Sequence, residues 1–373
     1  MALGARDTGS LVMLAGWDAT ELQKFTLQDG TTYAQVVAEM NAALGALNSE
    51  ILNDPLYANL VSYTDQPETE YRVGVSNGME RFTEYGRADA KRAETTGHML
   101  PLIPWDRRLG WTWNYLRQAR LSQIQADIAD GIKDVRDKWR VQLLTRVLKR
   151  GDDSGAANGL GSTGYSPGFA TTAASTAVDF TPPAYGGTSF SSTHEHYVGI
   201  AGGAFTAAVF TDAKDELREH GHEGPYEFVI GTSDESTVRG LTGFVAAPGM
   251  LVNYGNDTSL AQLNTMADMN GSYYIGMLND FKIRVVRGIP QYYGFGWKSY
   301  GPNSQRNPLK VRLQKGQSRP QVVAMPDPNA GTNANQPLNT LMLFTEFGVG
   351  VGDRTNGTAR YVNNTTWADG TPT

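Results

Sequence analysis

The longest regular pattern of apolar positions in the chain runs from Ala119 to Arg150. Its apolar residues recur at steps of three and four, at Leu121, Ile124, Ile128, Ile132, Val135, Trp139, Leu143 and Val147. This spacing predicts one α-helix with a single apolar face. At 1.5 Å per residue the helix would be roughly 48 Å long. An enzyme core seldom needs such a strut, whereas a flat subunit that builds a shell does.

Shorter patterns predict a mixture of helices and strands. Helical periodicity covers Tyr33–Leu52, which a proline ends, and Phe205–Glu219, which His220-Gly221 ends. The strand-like runs are Tyr71–Ser76, Tyr226–Ile230, Tyr273–Met277, Phe281–Val286, Tyr292–Trp297, Leu309–Leu313 and Leu341–Val351. Segments rich in Gly, Ser, Pro or Asn at 151–187 and 317–336 predict loops. Because helices and strands do not alternate regularly, the predicted fold class is α+β.

The segment after the first predicted strand carries an unusual density of charge. Asn77-Gly78 is a strong hairpin signal there, because it tolerates the positive φ angles of a type I′ turn. The charged residues that follow are Glu80, Arg81, Glu84, Arg87, Asp89, Lys91, Arg92 and Glu94. Burying them within one protomer would carry a heavy desolvation cost. They either form a solvated surface or lie across a neighbouring subunit, where many modest ion pairs would set the register.

Composition narrows the class of protein. Hydrophobic residues make up 40% of the chain and charged residues 19%, which is typical of globular proteins. The net charge of -6 argues against a dedicated nucleic-acid binder, but not against a protein that encloses nucleic acid. The absence of cysteine excludes disulfides and thiolate chemistry. Without a signal-like or membrane-spanning apolar run, we expect a soluble protein made inside the cell.

Two short motifs resemble catalytic or cofactor sites but lack the context that the chemistry needs. Gly159–Gly164 matches G-x-G-x-x-G, yet no strand precedes it and no helix follows it. Gly164–Gly168 matches the G-x-S-x-G nucleophile elbow, in which the residue after the serine donates its N–H to an oxyanion. Here that residue is Pro167, which has no N–H. We therefore assign no catalytic or cofactor-binding residue and no cofactor.

Four histidines form two pairs at i and i+2, His194 with His196 and His220 with His222. On an extended segment such a pair points to one side, so the two pairs together could hold zinc, helped by Glu195 or Glu223. A metal-dependent hydrolase that uses the four histidines is therefore one hypothesis. Nothing in the sequence shows that the two pairs meet. We interpret the histidines as polar loop residues and assign no metal site.

The order of elements resembles the major capsid protein of tailed bacteriophages, which has the Johnson fold, also called the Hong Kong 97-type capsid fold. An extended arm, a short helix, a charged hairpin loop, one very long helix, a mixed module and long terminal strands follow one another along the chain. Stretches at 82–86, 98–115, 224–230 and 347–364 are also similar to that family.

The resemblance implies a division of the chain. It gives an N-arm at 1–30, an N-terminal helix region of the peripheral (P) domain at 31–65, an extended E-loop at 66–110, the P domain at 111–199 with its spine helix at 119–150, an axial (A) domain at 200–280, and a P-domain return with the C-terminal strands at 281–373. Some members of the family form a Lys–Asn isopeptide cross-link. Lys91 and Asn363 or Asn364 are the right residue types, but no carboxylate that would promote the reaction can be identified.

The resemblance also implies a function. The chain would be a non-enzymatic major capsid protein that assembles with itself, as pentamers and hexamers, into an icosahedral shell. The shell would enclose double-stranded DNA without sequence-specific binding and without a membrane. A separate scaffolding protein, a portal and cement proteins would be its partners, and assembly in the host cytoplasm would place it in the virion. An encapsulin-type nanocompartment shell is the alternative with the same fold, and the metal-dependent hydrolase is the alternative from another class.

Overall fold

The computed structural model describes residues 26–73, 94–111, 115, 118–151, 167–171, 180–247, 272–326 and 341–373. The helices described are α1 (Tyr33–Asn53), α2 (Pro55–Leu60), α3 (Leu121–Leu148), α4 (Ala207–Glu219) and α5 (Glu235–Arg239). The strands described are β1 (Val61–Thr64), β2 (Glu68–Val73), β3 (Glu94–Met99), β4 (Ile103–Leu109), β5 (Tyr197–Gly199), β6 (Tyr226–Ile230), β7 (Val245–Ala246), β8 (Tyr273–Leu278), β9 (Phe281–Val285), β10 (Tyr293–Trp297), β11 (Leu309–Arg312), β12 (Val323–Pro326), β13 (Leu341–Val351) and β14 (Thr358–Tyr361). None of these helices combines the length and hydropathy needed to cross a membrane.

The long helix predicted at Ala119–Arg150 is confirmed as α3, two residues shorter at each end. Its 28 residues correspond to a length of about 42 Å. The buried apolar positions of the predicted stripe are Ile124, Ile128, Val135, Trp139, Leu143 and Val147. Leu121 and Ile132 are only partly buried. The apolar face therefore lies where the periodicity predicts it.

Helix α1 begins and ends as the sequence predicts. The side chain of Thr32 accepts a hydrogen bond from the Gln35 N–H, and the Gln35 side chain accepts one from the Thr32 N–H. This capping box satisfies backbone donors that the first turn leaves unpaired. The helix ends at Asp54, whose extended backbone precedes Pro55.

The chain divides into two compact units. The first consists of Met1–Asp54, Ile103–Trp139 and Gln317–Phe347. In it the first part of β13 pairs antiparallel with β4 on one side and with β12 on the other. The Trp139 ring stacks on Phe347 with centroids 3.9 Å apart. Gly131 faces Leu343 so closely that an added Cβ would lie 2.9 Å from its Cδ1, so α3 lies directly against this sheet.

The second unit consists of Pro55–Leu102, Arg140–Gly316 and Gly348–Thr373. Its largest element is a seven-stranded sheet in the order β5-β14-β10-β6-β9-β8-β7. Helix α4 packs its buried residues Val209, Phe210, Ala213 and Leu217 into a core with side chains of β6, β8 and β9. The rest of β13 pairs with β11 in this unit, and β11 pairs in parallel with β1.

Parts of this sheet and of the strands beside it differ from the predictions. The sheet takes strands from Tyr197–Gly199 to Thr358–Tyr361, beyond the 200–280 stretch assigned to an A domain, and that assignment stays a prediction. The loop predicted at 317–336 is wrong in part, because β12 lies within it and pairs with β13. Strands β1, β3, β4, β5 and β7 were not predicted.

The predicted E-loop is described at its base only. Strands β2 and β3 pair antiparallel from Glu68↔Met99 to Val73↔Glu94, and form a two-stranded ribbon. The Leu100 N–H donates to the Pro67 carbonyl at 2.7 Å and closes the ribbon at that end. The predicted Asn77-Gly78 turn and the charged residues up to Arg92 lie outside the described residues, as does most of the predicted N-arm.

Candidate functional site

Three histidine side chains of the second unit converge on one point. His194 and His196 lie just before β5, and His220 follows the last residue of α4. The Nε2 atoms of His194 and His196 are 3.1 Å apart, and each lies 2.9 Å from the Nε2 atom of His220. We call these three residues the histidine cluster. Such convergence of ring nitrogens is the arrangement that metal ions require.

Backbone pairing fixes the first two histidines of the cluster. The His196 N–H donates to the Ala170 carbonyl at 2.8 Å, and the His196 carbonyl accepts from the Ala359 N–H at 2.8 Å. The second bond places His196 beside β14, in line with the parallel pairing of β5 and β14. The His194 N–H donates to the Ser191 carbonyl at 3.2 Å, within a turn that precedes the strand.

The third histidine is placed by the end of α4. The Gly221 N–H donates to the Arg218 carbonyl at 2.9 Å, and the His222 N–H donates to the Leu217 carbonyl at 3.1 Å. This pair of bonds is a Schellman motif, which needs a left-handed residue after the helix. Gly221 supplies it, with a φ angle of +80°. His220 is therefore held at the last turn of the helix.

The protonated nitrogen of His196 can be assigned from its partner. Its Nδ1 atom lies 2.7 Å from the Gly357 carbonyl oxygen, which can only accept a hydrogen bond. Nδ1 therefore carries the hydrogen, and in the neutral ring Nε2 presents its lone pair to the cluster. A metal-ligating histidine typically donates its other N–H to a backbone carbonyl in this way.

A carboxylate lies beside the histidine cluster, and it is not one of the two predicted. Glu219 Oε1 lies 3.2 Å from His194 Nε2 and 3.9 Å from His220 Nε2. Glu195 instead accepts a hydrogen bond from Thr171, and Glu223 lies 3.9 Å from Arg218. The prediction of Glu195 or Glu223 as an additional ligand is therefore wrong. The signal available in the sequence was Glu219, the acidic residue directly before His220.

Burial keeps the cluster neutral. Desolvation lowers the pKa of His194, lowers that of His196 well below its ordinary value and lowers that of His220 to about 2. The neighbouring imidazoles act in the same direction on His196 and His220. Burial also raises the pKa of Glu219, as do the nearby carboxylates of Glu216 and Asp215. Neutral imidazole is the form that binds metal.

The fourth predicted histidine lies elsewhere. His222 Nδ1 is 2.8 Å from the Tyr300 hydroxyl, and its Nε2 is 3.0 Å from the Thr355 hydroxyl. The four-histidine site proposed for a metal-dependent hydrolase is therefore not formed. All four histidines lie outside the helices and strands, as the interpretation of them as loop residues expects, but His196 and His222 are fully buried and His220 is nearly so. Sequence spacing gave no measure of burial.

The remaining motif residues either lie outside the part of the chain that the structure describes or have a packing role. The G-x-G-x-x-G match and Ser166 lie outside the described residues, as does Lys91. Gly348 in β13 has no room for a side chain, because an added Cβ would overlap the Pro101 carbonyl. Phe295 and Trp297 of β10 are buried, so these aromatic side chains pack within the second unit.

Comparison with known proteins places the fold. No protein-family model matches the chain, and no curated protein sequence matches it. A solved structure from Mycobacterium phage Patience matches with a TM-score of 0.59 and 18% identity, over 91% of this chain and 92% of that chain. The asymmetric unit of the bacteriophage PhiM1 mature capsid matches with a TM-score of 0.49 and 12% identity, over 84% of this chain and 88% of that chain. The capsid of Ralstonia phage GP4 matches with a TM-score of 0.44 and 11% identity, over 84% of this chain and 93% of that chain.

The first of these likenesses extends over nearly the whole of both chains. At 18% identity it shows a shared fold. The chain therefore has the α+β, Hong Kong 97-type capsid fold that the order of its elements predicted.

Proposed function

We propose that this protein is the major capsid protein of a tailed double-stranded DNA bacteriophage. The observation that carries the proposal is the fold shared with the Mycobacterium phage Patience structure over nearly all of both chains. A fold alone does not fix a function, because one fold can host several. The features of this chain that suit a shell subunit therefore add weight to the assignment.

The long helix is built as a stiff element within the first unit. Besides the Trp139–Phe347 stack, Arg107 Nη1 lies 2.6 Å from Asp134 Oδ2, and Arg136 pairs with Glu50. The Lys138 ammonium lies 3.6 Å from the centre of the Trp105 ring. These contacts fix α3 to both β4 and α1 along several turns. A subunit of a thin protein shell needs a stiff element of this kind to resist deformation.

The ribbon of β2 and β3 supports an assembly role for 66–110. Its exposed residues include Glu68, Glu70 and Met99, whereas Thr69 and His98 are buried at its base. The ribbon is thus anchored at one end and leads into a segment rich in both signs of charge. We propose that this segment is an E-loop that lies on a neighbouring subunit, where its ion pairs set the register of assembly.

The remaining assignments follow from the same proposal. Residues 1–30 would form an N-arm, 200–280 would contribute an axial domain, and the subunits would assemble as pentamers and hexamers. A scaffolding protein, a portal and cement proteins would act with it in the host cytoplasm, and the finished shell would be part of the virion. The enclosed DNA would be held without sequence-specific contacts, in keeping with a net charge of -6.

Electron microscopy of the expressed protein tests the proposal. The chain is produced alone and together with the products of its neighbouring genes, and each sample is imaged after size-exclusion chromatography. Closed icosahedral shells are the expected result. Monomers that persist under all assembly conditions, even with a scaffolding protein, would contradict a capsid function. An enzyme cargo in particles from the native host, in place of a phage genome, would favour the encapsulin alternative.

A further inference from the structure

We propose that His194, His196 and His220 bind one Zn²⁺ ion, with Glu219 as the fourth ligand. The three Nε2 atoms form a triangle with sides of 2.9, 2.9 and 3.1 Å. Imidazole nitrogens bound to tetrahedral zinc at 2.0–2.1 Å would be about 3.3 Å apart. The triangle would therefore have to open by only about 0.3 Å to hold the ion.

Hydrogen bonds among the rings do not account for this triangle. A neutral imidazole nitrogen has either a lone pair or a hydrogen. His196 Nε2 has the lone pair, because its Nδ1 hydrogen is donated to the Gly357 carbonyl. That lone pair can accept one hydrogen in a good geometry, yet two further Nε2 atoms lie within 3.1 Å of it. A cation shared by three lone pairs satisfies all three nitrogens together.

The surroundings favour a structural zinc site over a catalytic one. A catalytic zinc ion keeps one position open for water, whereas a structural ion has four protein ligands. Glu219 Oε1 already lies 3.2 Å from the nearest ring nitrogen and would supply the fourth ligand. The Phe190 ring packs against His194 and His220, with centroid distances of 4.9 and 4.3 Å, and shields the cluster from water.

The ion would join two elements that lie apart in the sequence. Strand β5 contributes only three residues to the edge of the seven-stranded sheet, paired with β14. Two ligands immediately precede this strand, and the other two are at the end of α4. Zinc would therefore fasten the segment before β5 to α4. Because the site exists only in the folded chain, binding would stabilise the fold.

The test uses the full chain after removal of metal with a chelator and exhaustive dialysis. Zinc chloride is added, bound metal is counted by elemental analysis, and thermal unfolding is followed with and without zinc. We expect one zinc ion per chain and a higher unfolding temperature. At free zinc of 100 times Kd, the folding equilibrium should shift about 100-fold. Cobalt(II) should bind at the same site and give the absorption spectrum of a tetrahedral complex.

Three variants locate the site. His194→Gln removes a partly exposed ligand, and we expect it to lose stoichiometric binding and the zinc-dependent shift. His222→Gln is the matched control, since His222 lies two residues from a ligand but outside the cluster, and it should bind zinc as the parent does. Glu219→Gln should weaken zinc binding while the cluster still forms, and it serves as the ligand variant if His194→Gln does not fold.

The proposal is overturned if the parent chain binds no zinc, or if His194→Gln and Glu219→Gln bind it as tightly as the parent does. Loss of binding in His222→Gln with retention in His194→Gln would overturn it equally. These measurements are made on the unassembled subunit. They stand apart from the capsid assignment, because zinc binding and shell formation are read separately.

Discussion

At the scale of single residues, the turn after α4 shows how one backbone angle decides where two side chains go. The left-handed residue Gly221 follows His220, the C-cap of the helix, and reverses the direction of the chain. His220 is left in the histidine cluster, whereas His222 meets Tyr300 and Thr355. A pattern of histidines at i and i+2 would place both on one side only in an extended segment. The glycine between them prevents that.

Replacement of Gly221 by alanine should destabilise the subunit by about 2 kcal/mol or more. Its positive φ costs an L-residue roughly 1–2 kcal/mol, and an added Cβ would lie 2.6 Å from the Tyr185 ring. Gly301→Ala is the matched control, because Gly301 also has a positive φ but open space around it. Urea unfolding measures both variants. Equal losses of stability would mean that the Tyr185 contact contributes nothing.

A buried histidine in the ribbon should make stability depend on pH. Burial lowers the pKa of His98 to about 3, and the charges of Arg354 and Arg146 act in the same direction. The unfolded chain, with an ordinary pKa near 6.5, therefore binds more protons than the folded chain between pH 6.5 and 3. The free energy of unfolding should fall as the pH falls through this window, by up to about 1.4 kcal/mol per pH unit.

The variant His98→Gln isolates this effect. Its free energy of unfolding, measured in urea at pH 7, 6 and 5, should depend less steeply on pH than that of the parent. The difference between the two slopes should approach one proton. Parallel pH profiles for the two proteins would show that His98 is not held neutral in the fold.

At the scale of elements, α3 combines a predictable face with a contact that periodicity does not reveal. The stripe of apolar positions identifies Trp139 as buried, but not that it stacks on Phe347 of β13. Trp139→Ala should destabilise the first unit by about 3–5 kcal/mol, as is usual for a large buried aromatic residue. Leu121→Ala is the control, since Leu121 is only partly buried on the same helix.

Denaturant unfolding monitored by circular dichroism compares these two helix variants. The expected order is a large loss of stability for Trp139→Ala and a small one for Leu121→Ala. A small loss in both would indicate that α3 is held by its ion pairs rather than by its apolar face.

The charged segment beyond the ribbon gives a prediction about assembly. Glu80→Lys, Glu84→Lys and Arg87→Glu together should impair shell formation, because reversed charges would meet like charges on the neighbouring subunit. The isolated subunit should keep the circular dichroism spectrum and the elution volume of the parent. Shell yield is measured by sedimentation. An unfolded triple variant would instead place this segment in the protomer's own core.

Local signals explain which elements were predictable. α3, α4, β6 and β13 have strong periodicity or long apolar runs, and their predicted bounds lie within two residues of those observed. β4 carries Asp106, Arg107 and Arg108, so its composition hides a strand that is fixed by pairing with β13. β12 is likewise hidden, because it lies in a segment rich in Pro and Asn and is fixed by its pairing with β13.

The histidine cluster was beyond sequence reasoning because it depends on tertiary pairing. His194 and His220 are 26 positions apart, and only the docking of β5 beside β14 and the turn at Gly221 bring them together. Glu219 could have been suspected from its position beside His220. The departure of His222 could not, since it follows from the hydrogen bonds of one turn.

At the scale of the whole molecule, the acidic balance of the chain bears on its relation to nucleic acid. With a net charge of -6, the subunit lacks the basic excess that drives non-specific binding to phosphates. We expect purified subunits to bind duplex DNA weakly and without sequence preference at physiological salt. An electrophoretic mobility shift with two unrelated duplexes measures this. Tight binding to either one would show a basic surface that the net charge conceals.

The position of β14 within the seven-stranded sheet limits how early the sheet can be completed during synthesis. Thr358–Tyr361 lies between β5 and β10, so the strand of this sheet that is synthesised last fills an interior position. Until it has left the ribosome, β5 has no partner on that side and the sheet is incomplete. Contacts of such long sequence separation form slowly. A nascent chain is therefore unable to complete this sheet before β14 has been made, and any association between subunits that needs the finished sheet must follow that step.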